Sequence, residues 1–183
     1  MSKKTVIRFC GFGGQGIILS SVVFGTAAVE YSNKYGVQTQ SYGSEARGGE
    51  CKSELILSDE QINSPIADKA DILVAMSQQA YNKYIHTLKS GGLLIIDPDM
   101  VTTLNERKDV ELIKVPATKI AFEKIKSKIT ANIVILGFLQ DFTGLVSKEN
   151  LKNAIKNLIS EKFLEVNLKA VDEGIKISKN TKR

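Results

Sequence analysis

Residues 10–17 read Cys-Gly-Phe-Gly-Gly-Gln-Gly-Ile, and this glycine-rich turn decides the fold. A short apolar run, residues 5–10, enters the turn, and a long apolar segment, residues 16–32, leaves it. This order is typical of a first strand, a glycine turn and a first helix, because glycine takes positive φ angles and lets other groups approach the backbone. Three glycines match the spacing G-x-G-x-x-G, which marks a dinucleotide site in a βαβ unit. They are Gly11, Gly13 and Gly16.

The rest of the chain alternates between patterns typical of strands and of helices. Strands are predicted at residues 37–42, 51–58, 71–76, 93–97 and 110–115. Helices are predicted at residues 77–89, 131–142 and 161–177, and Ser147 is placed to cap one more. Only about eight residues separate strands two and three, whereas a parallel crossover takes a dozen or more. Strand three is therefore expected to run antiparallel to strand two.

This alternation predicts an α/β protein. We expect a three-layer, Rossmann-like sandwich around a mostly parallel, mixed central sheet. The first helix is apolar around most of its circumference, so a second helix or another subunit must cover the side that faces away from the sheet. The 183 residues are most economically explained by a single domain, residues 1–183.

Composition and charge argue against membrane and nucleic-acid partners. The longest apolar stretch, residues 17–29, is interrupted by polar residues and falls short of the about 20 residues that span a bilayer. We expect a cytoplasmic protein. The formal net charge is +5, and several lysines lie near the end of the chain. A frayed basic tail, residues 176–183, explains them better than a nucleic-acid-binding arm, because no basic stripe with aromatic residues occurs elsewhere.

The chain lacks the residues for a metal site or a hydrolytic site of its own. It has two cysteines, Cys10 and Cys51, which we expect to be buried as small apolar residues, and one histidine, His86, which we interpret as a surface residue. Iron–sulfur clusters usually take four thiolates, and structural zinc takes four Cys or His ligands. Asp97 follows a predicted strand and either contacts a ligand or, as we favour, caps the turn at Pro98. We expect no catalytic residue and no metal ligand.

The dinucleotide interpretation lacks its second half. A nicotinamide site needs an Asp or Glu at the end of strand two, about 20 residues after the glycines. Strand two ends here in Gln40, Ser41 and Tyr42. A helix N-terminus after a glycine turn still favours an anion. A stand-alone oxidoreductase that binds NAD or a flavin is therefore the alternative function.

A second glycine-rich segment, residues 43–50, reads Gly-Ser-Glu-Ala-Arg-Gly-Gly-Glu. Arg47 offers a planar guanidinium that suits a carboxylate or a phosphate. It either contacts a ligand or partner, or forms a local salt bridge with Glu45 or Glu50. The local sequence leaves both interpretations open.

Five segments, in this order and spacing, resemble the gamma subunit of 2-oxoacid:ferredoxin oxidoreductases. They are GFGGQG at 11–16, YGSEARGG at 42–49, SELILSDEQINSP at 53–65, ADILVAM at 70–76 and LKSGGLLIID at 88–97. The resemblance covers nearly the whole chain, and the second segment is more similar to the 2-oxoglutarate branch than to the pyruvate branch.

The resemblance implies a complex that oxidatively decarboxylates 2-oxoglutarate, forms succinyl-CoA from coenzyme A, and passes electrons to ferredoxin or flavodoxin. It places thiamine diphosphate, magnesium and iron–sulfur clusters on the alpha, beta and delta subunits. This chain is then expected to bind no cofactor by itself and to be inactive in isolation.

The resemblance also implies that two segments face the alpha subunit near the route to the active site. The first, called the glycine turn below, comprises Gly11, Gly13, Gly14, Gln15 and Gly16. The second, called the R-G-G loop, comprises Tyr42, Gly43, Glu45, Arg47, Gly48 and Gly49. An anion or a coenzyme A phosphate at the glycine turn is the alternative to a subunit contact there.

Overall fold

The computed structural model describes residues 4–42, 50–105 and 107–181. The strands in these ranges are β1 Thr5–Phe12, β2 Tyr35–Tyr42, β3 Glu50–Ser58, β4 Ala70–Ala75, β5 Leu88–Ile96 and β6 Glu111–Lys114. They form a six-stranded sheet in the order β2-β3-β1-β4-β5-β6. β3 runs antiparallel to both of its neighbours, whereas β1, β4, β5 and β6 are mutually parallel. The predicted mixed sheet and the predicted direction of strand three are confirmed.

Helices cover both faces of the sheet and complete three layers. They are α1 Ile17–Ser32, α2 Gln78–Tyr84, α3 Ala117–Ile120, α4 Ala131–Thr143, α5 Lys148–Leu158 and α6 Glu161–Asn180. α1, α4, α5 and α6 share the larger core with one face of the sheet, and α2 packs on the other face. Because side chains alternate along a strand, Phe9 faces the larger core and Cys10 the smaller. None of the helices in the described part of the chain is both long and apolar enough to cross a bilayer.

The second side of α1 is covered from within the chain. α5 packs along it, and the Asn150 side-chain amide donates to the carbonyl oxygen of Tyr31 at 2.7 Å. The predicted N-cap of α5 is confirmed, because the Ser147 hydroxyl accepts a hydrogen bond from the Asn150 N–H. One of the two predicted covers of α1, a second helix, is therefore present.

α4 and α6 are in backbone contact. A Cβ atom at Gly174 of α6 would lie 2.6 Å from the Phe138 nitrogen, and closer still to the Val134 carbonyl oxygen of α4. A Cβ atom at Gly137 would collide in the same way with the backbone at Val171. Only glycine at these two positions lets the helices come this close. The contact holds α4 in place beneath the glycine turn.

Three predicted boundaries are wrong. The helix predicted at 77–89 ends at Tyr84, and β5 begins at Leu88 instead of residue 93. Gly91, which has φ +73°, marks an irregularity in the pairing of β5 with β4 and does not end a helix. The last helix continues through Asn180, so the predicted tail, residues 176–183, is helical as far as that residue. Lys176 pairs there with Glu173, and residues 182–183 lie outside the described residues.

Candidate functional site

The glycine turn lies at the carboxyl end of β1, where the connections of the sheet diverge. From β1 the chain passes through α1, on one face, to β2 on one side of the sheet. From β4 it passes through α2, on the other face, to β5 on the opposite side. Open α/β sheets bind ligands at such a switch point, just beyond the carboxyl ends of the strands. The turn therefore occupies the position where a site is expected.

Gln15 locks the turn and ties it to β4. Its Oε1 accepts a hydrogen bond from the Phe12 N–H at 2.7 Å, and its Nε2 donates to the Met76 carbonyl oxygen at 2.8 Å. The same side chain lies over Gly11, where a Cβ atom would be 2.5 Å from Gln15 Oε1 and 2.7 Å from Ile17 Cδ1. The Phe12 N–H is consequently not free to bind a phosphate.

Gly16 allows α1 to begin against α4. Its φ of 73° and ψ of 24° are left-handed, and a Cβ atom there would lie 2.8 Å from Asn132 Cγ. Asn132 Nδ2 donates to the Gly16 carbonyl oxygen at 3.2 Å and to Ser20 Oγ at 3.3 Å. Gly16 therefore serves a contact within the chain, and local sequence patterns do not reveal it because Asn132 is 116 residues away.

Gly13 and Gly14 are the exposed part of the glycine turn. Gly14 has φ +96°, and a Cβ atom there would meet nothing within 4 Å. Three of the five turn residues named from the sequence thus act inside the chain, and these two remain accessible from outside.

The R-G-G loop is bounded by residues at the same end of the sheet as the glycine turn. In the strand register, Glu50 lies opposite Phe12, and Tyr42 lies opposite Cys51. Five of the predicted loop residues lie outside the described residues: Gly43, Glu45, Arg47, Gly48 and Gly49. Tyr42 and Glu50, which bound the loop, therefore both lie at the edge of the sheet that carries the glycine turn.

A crevice of about 240 Å³ opens beside the turn. Its lining includes residues that follow each of the four parallel strands, and these are Gly14, Met76, Met100 and Thr118. Lys128 also lines it, and no carboxylate does so among the described residues. α1 begins nearby without a side-chain cap, so the crevice favours a small anionic group. Ligand pockets are typically about 300–1,000 Å³, and this crevice is small for a dinucleotide.

The sheet order also argues against a nicotinamide site. β3 lies between β1 and β2, so β2 ends two strand spacings, about 10 Å, from the glycine turn. The acidic residue next to the turn is Glu50 on β3, and its carboxylate is bound to Lys83 of α2. Among the described residues, therefore, no acid at the end of β2 is placed to hold a ribose beside the turn, in agreement with the sequence.

Asp97 is a structural residue. It is fully buried; its Oδ1 accepts from the Asp99 N–H at 3.1 Å, and its Oδ2 accepts from the N–H and hydroxyl of Thr118 at 2.8 and 2.6 Å. Burial raises the pKa of this carboxyl, and the hydrogen bonds from Thr118 oppose that shift. The predicted turn cap is thus confirmed, and it also anchors the start of α3.

The thiols and the histidine are not arranged for catalysis. Cys10 and Cys51 are free and buried, and burial raises the pKa of both thiols, which disfavours the reactive thiolate. His86 is exposed on the surface, as expected. Within the described ranges, no three side chains of the metal-ligating types lie close enough to hold an ion.

Comparison with known proteins relates this chain, in sequence and in fold, to subunits of 2-oxoacid oxidoreductases. The family model for pyruvate ferredoxin/flavodoxin oxidoreductase matches residues 6–177. The 2-oxoglutarate synthase subunit KorC of Methanocaldococcus jannaschii is 51% identical over 185 residues, which cover 98% of this chain and 99% of the relative. The keto/oxoacid ferredoxin oxidoreductase gamma subunit of Geobacter sulfurreducens has a crystal structure that matches with a TM-score of 0.86 at 41% identity, covering 97% of this chain and 99% of that one.

A further relative differs in length. The ketoisovalerate oxidoreductase subunit VorA of Methanothermobacter marburgensis is 29% identical over 176 residues, which cover 94% of this chain but only 36% of the relative. In that protein, the part similar to this chain belongs to a longer polypeptide.

Proposed function

Because the chain belongs to the pyruvate ferredoxin/flavodoxin oxidoreductase family, we propose that it is the gamma subunit of a 2-oxoglutarate:ferredoxin or flavodoxin oxidoreductase. The observation that carries this proposal is the 51% identity with a 2-oxoglutarate synthase subunit along essentially the full length of both chains. The reaction is the oxidative decarboxylation of 2-oxoglutarate with coenzyme A to succinyl-CoA and carbon dioxide, with two electrons passed to the low-potential acceptor.

The chain's own residues do not supply the redox chemistry of this reaction. Two buried thiols and one exposed imidazole do not fit the ligand set of an iron–sulfur cluster. We therefore assign thiamine diphosphate, magnesium and the clusters to alpha, beta and delta subunits. The proposed contribution of this chain is a rigid surface at the carboxyl edge of its sheet.

We further propose that the R-G-G loop and the exposed part of the glycine turn, Gly13 and Gly14, contact the alpha subunit. Support comes from the register, which puts both bounds of the loop at the edge that carries the turn. The crevice beside the turn is open and has a lysine in its lining, so an anionic group of the substrate path or of the alpha subunit is compatible with it.

The test is an activity assay on the native complex, isolated through an affinity tag on this chain. We expect viologen reduction that requires both 2-oxoglutarate and coenzyme A and that is faster than with pyruvate or 2-oxoisovalerate. The purified single chain should show no turnover. Turnover by the single chain, or a complex that prefers another 2-oxoacid, would contradict the proposal.

Arg47→Ala tests the R-G-G loop separately. We expect weaker assembly or lower activity of the complex, with an unchanged melting temperature of the isolated chain. Lys69→Ala is the matched control, because Lys69 is exposed at the opposite end of the sheet, just before β4. Equal assembly and activity of both variants would exclude a role for Arg47.

A further inference from the structure

Four exposed apolar side chains from separate parts of the chain line one groove. They are Leu19 of α1, Ile129 before α4, Leu158 at the end of α5 and Phe163 at the start of α6, with exposed fractions of 38, 67, 39 and 40%. The groove, called the apolar groove below, has a volume of about 250 Å³. Single exposed apolar residues are common, but a contiguous group marks an interaction surface.

Two buried asparagines provide polar groups in the lining of the apolar groove. Asn132 and Asn167 are 2 and 6% exposed, and both line it. Each uses its Nδ2 to donate to a backbone carbonyl oxygen, Asn132 to Gly16 and Asn167 to Phe163. A carbonyl oxygen only accepts, so the donating end of each amide is fixed. Neither Oδ1 accepts a hydrogen bond from the residues that the structure describes, so both can accept one from a partner.

The apolar groove is continuous with the candidate site. Ile129 lines both the apolar groove and the crevice beside the glycine turn, and Asn132 joins the groove to Gly16. The groove and the crevice therefore form one surface around the N-terminus of α4.

The rim of this surface near Ile129 is basic. Lys128 lines the crevice next to Ile129 and forms no ion pair with any described residue, and its Nζ lies 4.7 Å from the centre of the exposed Phe122 ring. An unpaired lysine beside an apolar patch favours a partner with an acidic residue at the facing rim, because opposite charges across an interface steer and orient the encounter.

A longer relative joins a part similar to this chain to additional protein in one polypeptide. In VorA the part similar to this chain makes up 36% of the polypeptide, so about two thirds of that chain is additional protein. The KorC relative is covered to 99% by this chain and so has no such additional part, and a gamma-type chain of that length meets the counterpart of the additional protein by association between subunits.

Resting on the proposed function, we infer that the apolar groove is the docking surface for the subunit that corresponds to the additional two thirds of VorA. That subunit inserts apolar side chains between Ile129 and Phe163, donates hydrogen bonds to Asn132 and Asn167, and places acidic residues near Lys128. The groove thereby extends the proposed contact of the glycine turn along α4 and α6.

The experiment measures assembly of the native complex with three variants of this chain. Ile129→Glu and Phe163→Glu put a charge in the groove, and Ile66→Glu is the matched control, because Ile66 is 75% exposed and lies away from the groove. We expect each groove variant to weaken binding of the docking subunit about 30-fold, equivalent to about 2 kcal/mol, and the control to leave it unchanged. Melting of each isolated variant checks that it folds.

A photo-crosslinking measurement gives an independent readout. Benzoylphenylalanine at position 129 is expected to crosslink to the docking subunit, identified by mass spectrometry as the counterpart of the additional part of VorA, and the same group at position 66 is not. Binding that is unchanged in both groove variants would overturn the inference. So would a dimer of the isolated chain that these variants dissociate, because the groove would then join two copies.

The assay separates this inference from the proposed function. If the wild-type complex assembles through the groove but does not oxidise 2-oxoglutarate, the docking surface stands and the proposed substrate is wrong. If the complex oxidises 2-oxoglutarate and the groove variants assemble normally, the function stands and the docking surface is wrong.

Discussion

Gly16→Ala is expected to destabilise the chain by about 2–5 kcal/mol. The left-handed backbone, with φ 73° and ψ 24°, costs an L-residue about 1–2 kcal/mol. The new Cβ atom also displaces the Asn132 side chain, since it would lie 2.8 Å from Asn132 Cγ. That movement breaks the hydrogen bonds from Asn132 to Gly16 and to Ser20, each worth about 0.5–1.5 kcal/mol.

The two contributions can be separated by urea unfolding followed by circular dichroism. Gly144→Ala is the matched control, because Gly144 has φ 65° and ψ 13°, and a Cβ atom there meets nothing within 4 Å. It should cost only the backbone strain, about 1–2 kcal/mol. In an Asn132→Ala background the obstructing amide is gone, so the cost of Gly16→Ala should fall to that same value.

The reasoning is refuted if Gly16→Ala and Gly144→Ala cost the same and if the Asn132→Ala background changes nothing. That result would mean that the left-handed conformation alone requires glycine at position 16. The close approach of α1 and α4 would then not explain the third glycine of the motif, and a ligand or partner at the turn would again be the better explanation.

Three further changes test the packing and the electrostatics of the fold. Gly174→Ala forces α6 away from α4 and should cost about 3 kcal/mol, a fall in melting temperature of about 6–12 °C by calorimetry. Glu54→Gln leaves the buried Arg8 guanidinium without its counter-charge and should cost about 3–5 kcal/mol in urea unfolding, whereas the double change Arg8→Met/Glu54→Leu should cost much less. The hydrogen bond from Arg107 lowers the pKa of Asp109 to about 2. The pair therefore stabilises the fold above about pH 4, and this stabilisation is lost as the pH falls towards 2. Asp109→Asn should accordingly make the decline in melting temperature between about pH 4 and pH 2 shallower.

Much of the sheet can be predicted from the sequence because its strands are short apolar runs and one connection is too short to cross over. The length between Tyr42 and Glu50 is enough to set the direction of β3. The start of β5 cannot be found in this way. Gly91 and Gly92 look like the end of a helix, and only the pairing of Leu88 with Ala70 shows that the strand has already begun.

The site is less predictable than the fold because its contacts join distant segments. The position of the glycine turn follows from its spacing, but Asn132 and Thr118, which decide what surrounds it, carry no local signal. The apolar groove is assembled from four elements, and each of its exposed residues, such as Ile129, looks ordinary in its own segment. Hydrophobic periodicity shows which side of one helix is buried and does not show which exposed residues of different helices meet.

The structure changes what a G-x-G-x-x-G spacing means in this chain. The first glycine is covered by Gln15 and the third by Asn132, so these two serve the tight turn and the close packing of α1, the roles that they also have in a dinucleotide site. The antiparallel β3 then separates the turn from the end of β2, where the ribose-binding acid would stand. Only Gly13 and Gly14 remain open to the outside. A turn with so few accessible groups has little specificity of its own, so we expect recognition at this edge to depend on the contacts proposed above for the R-G-G loop, the crevice and the apolar groove.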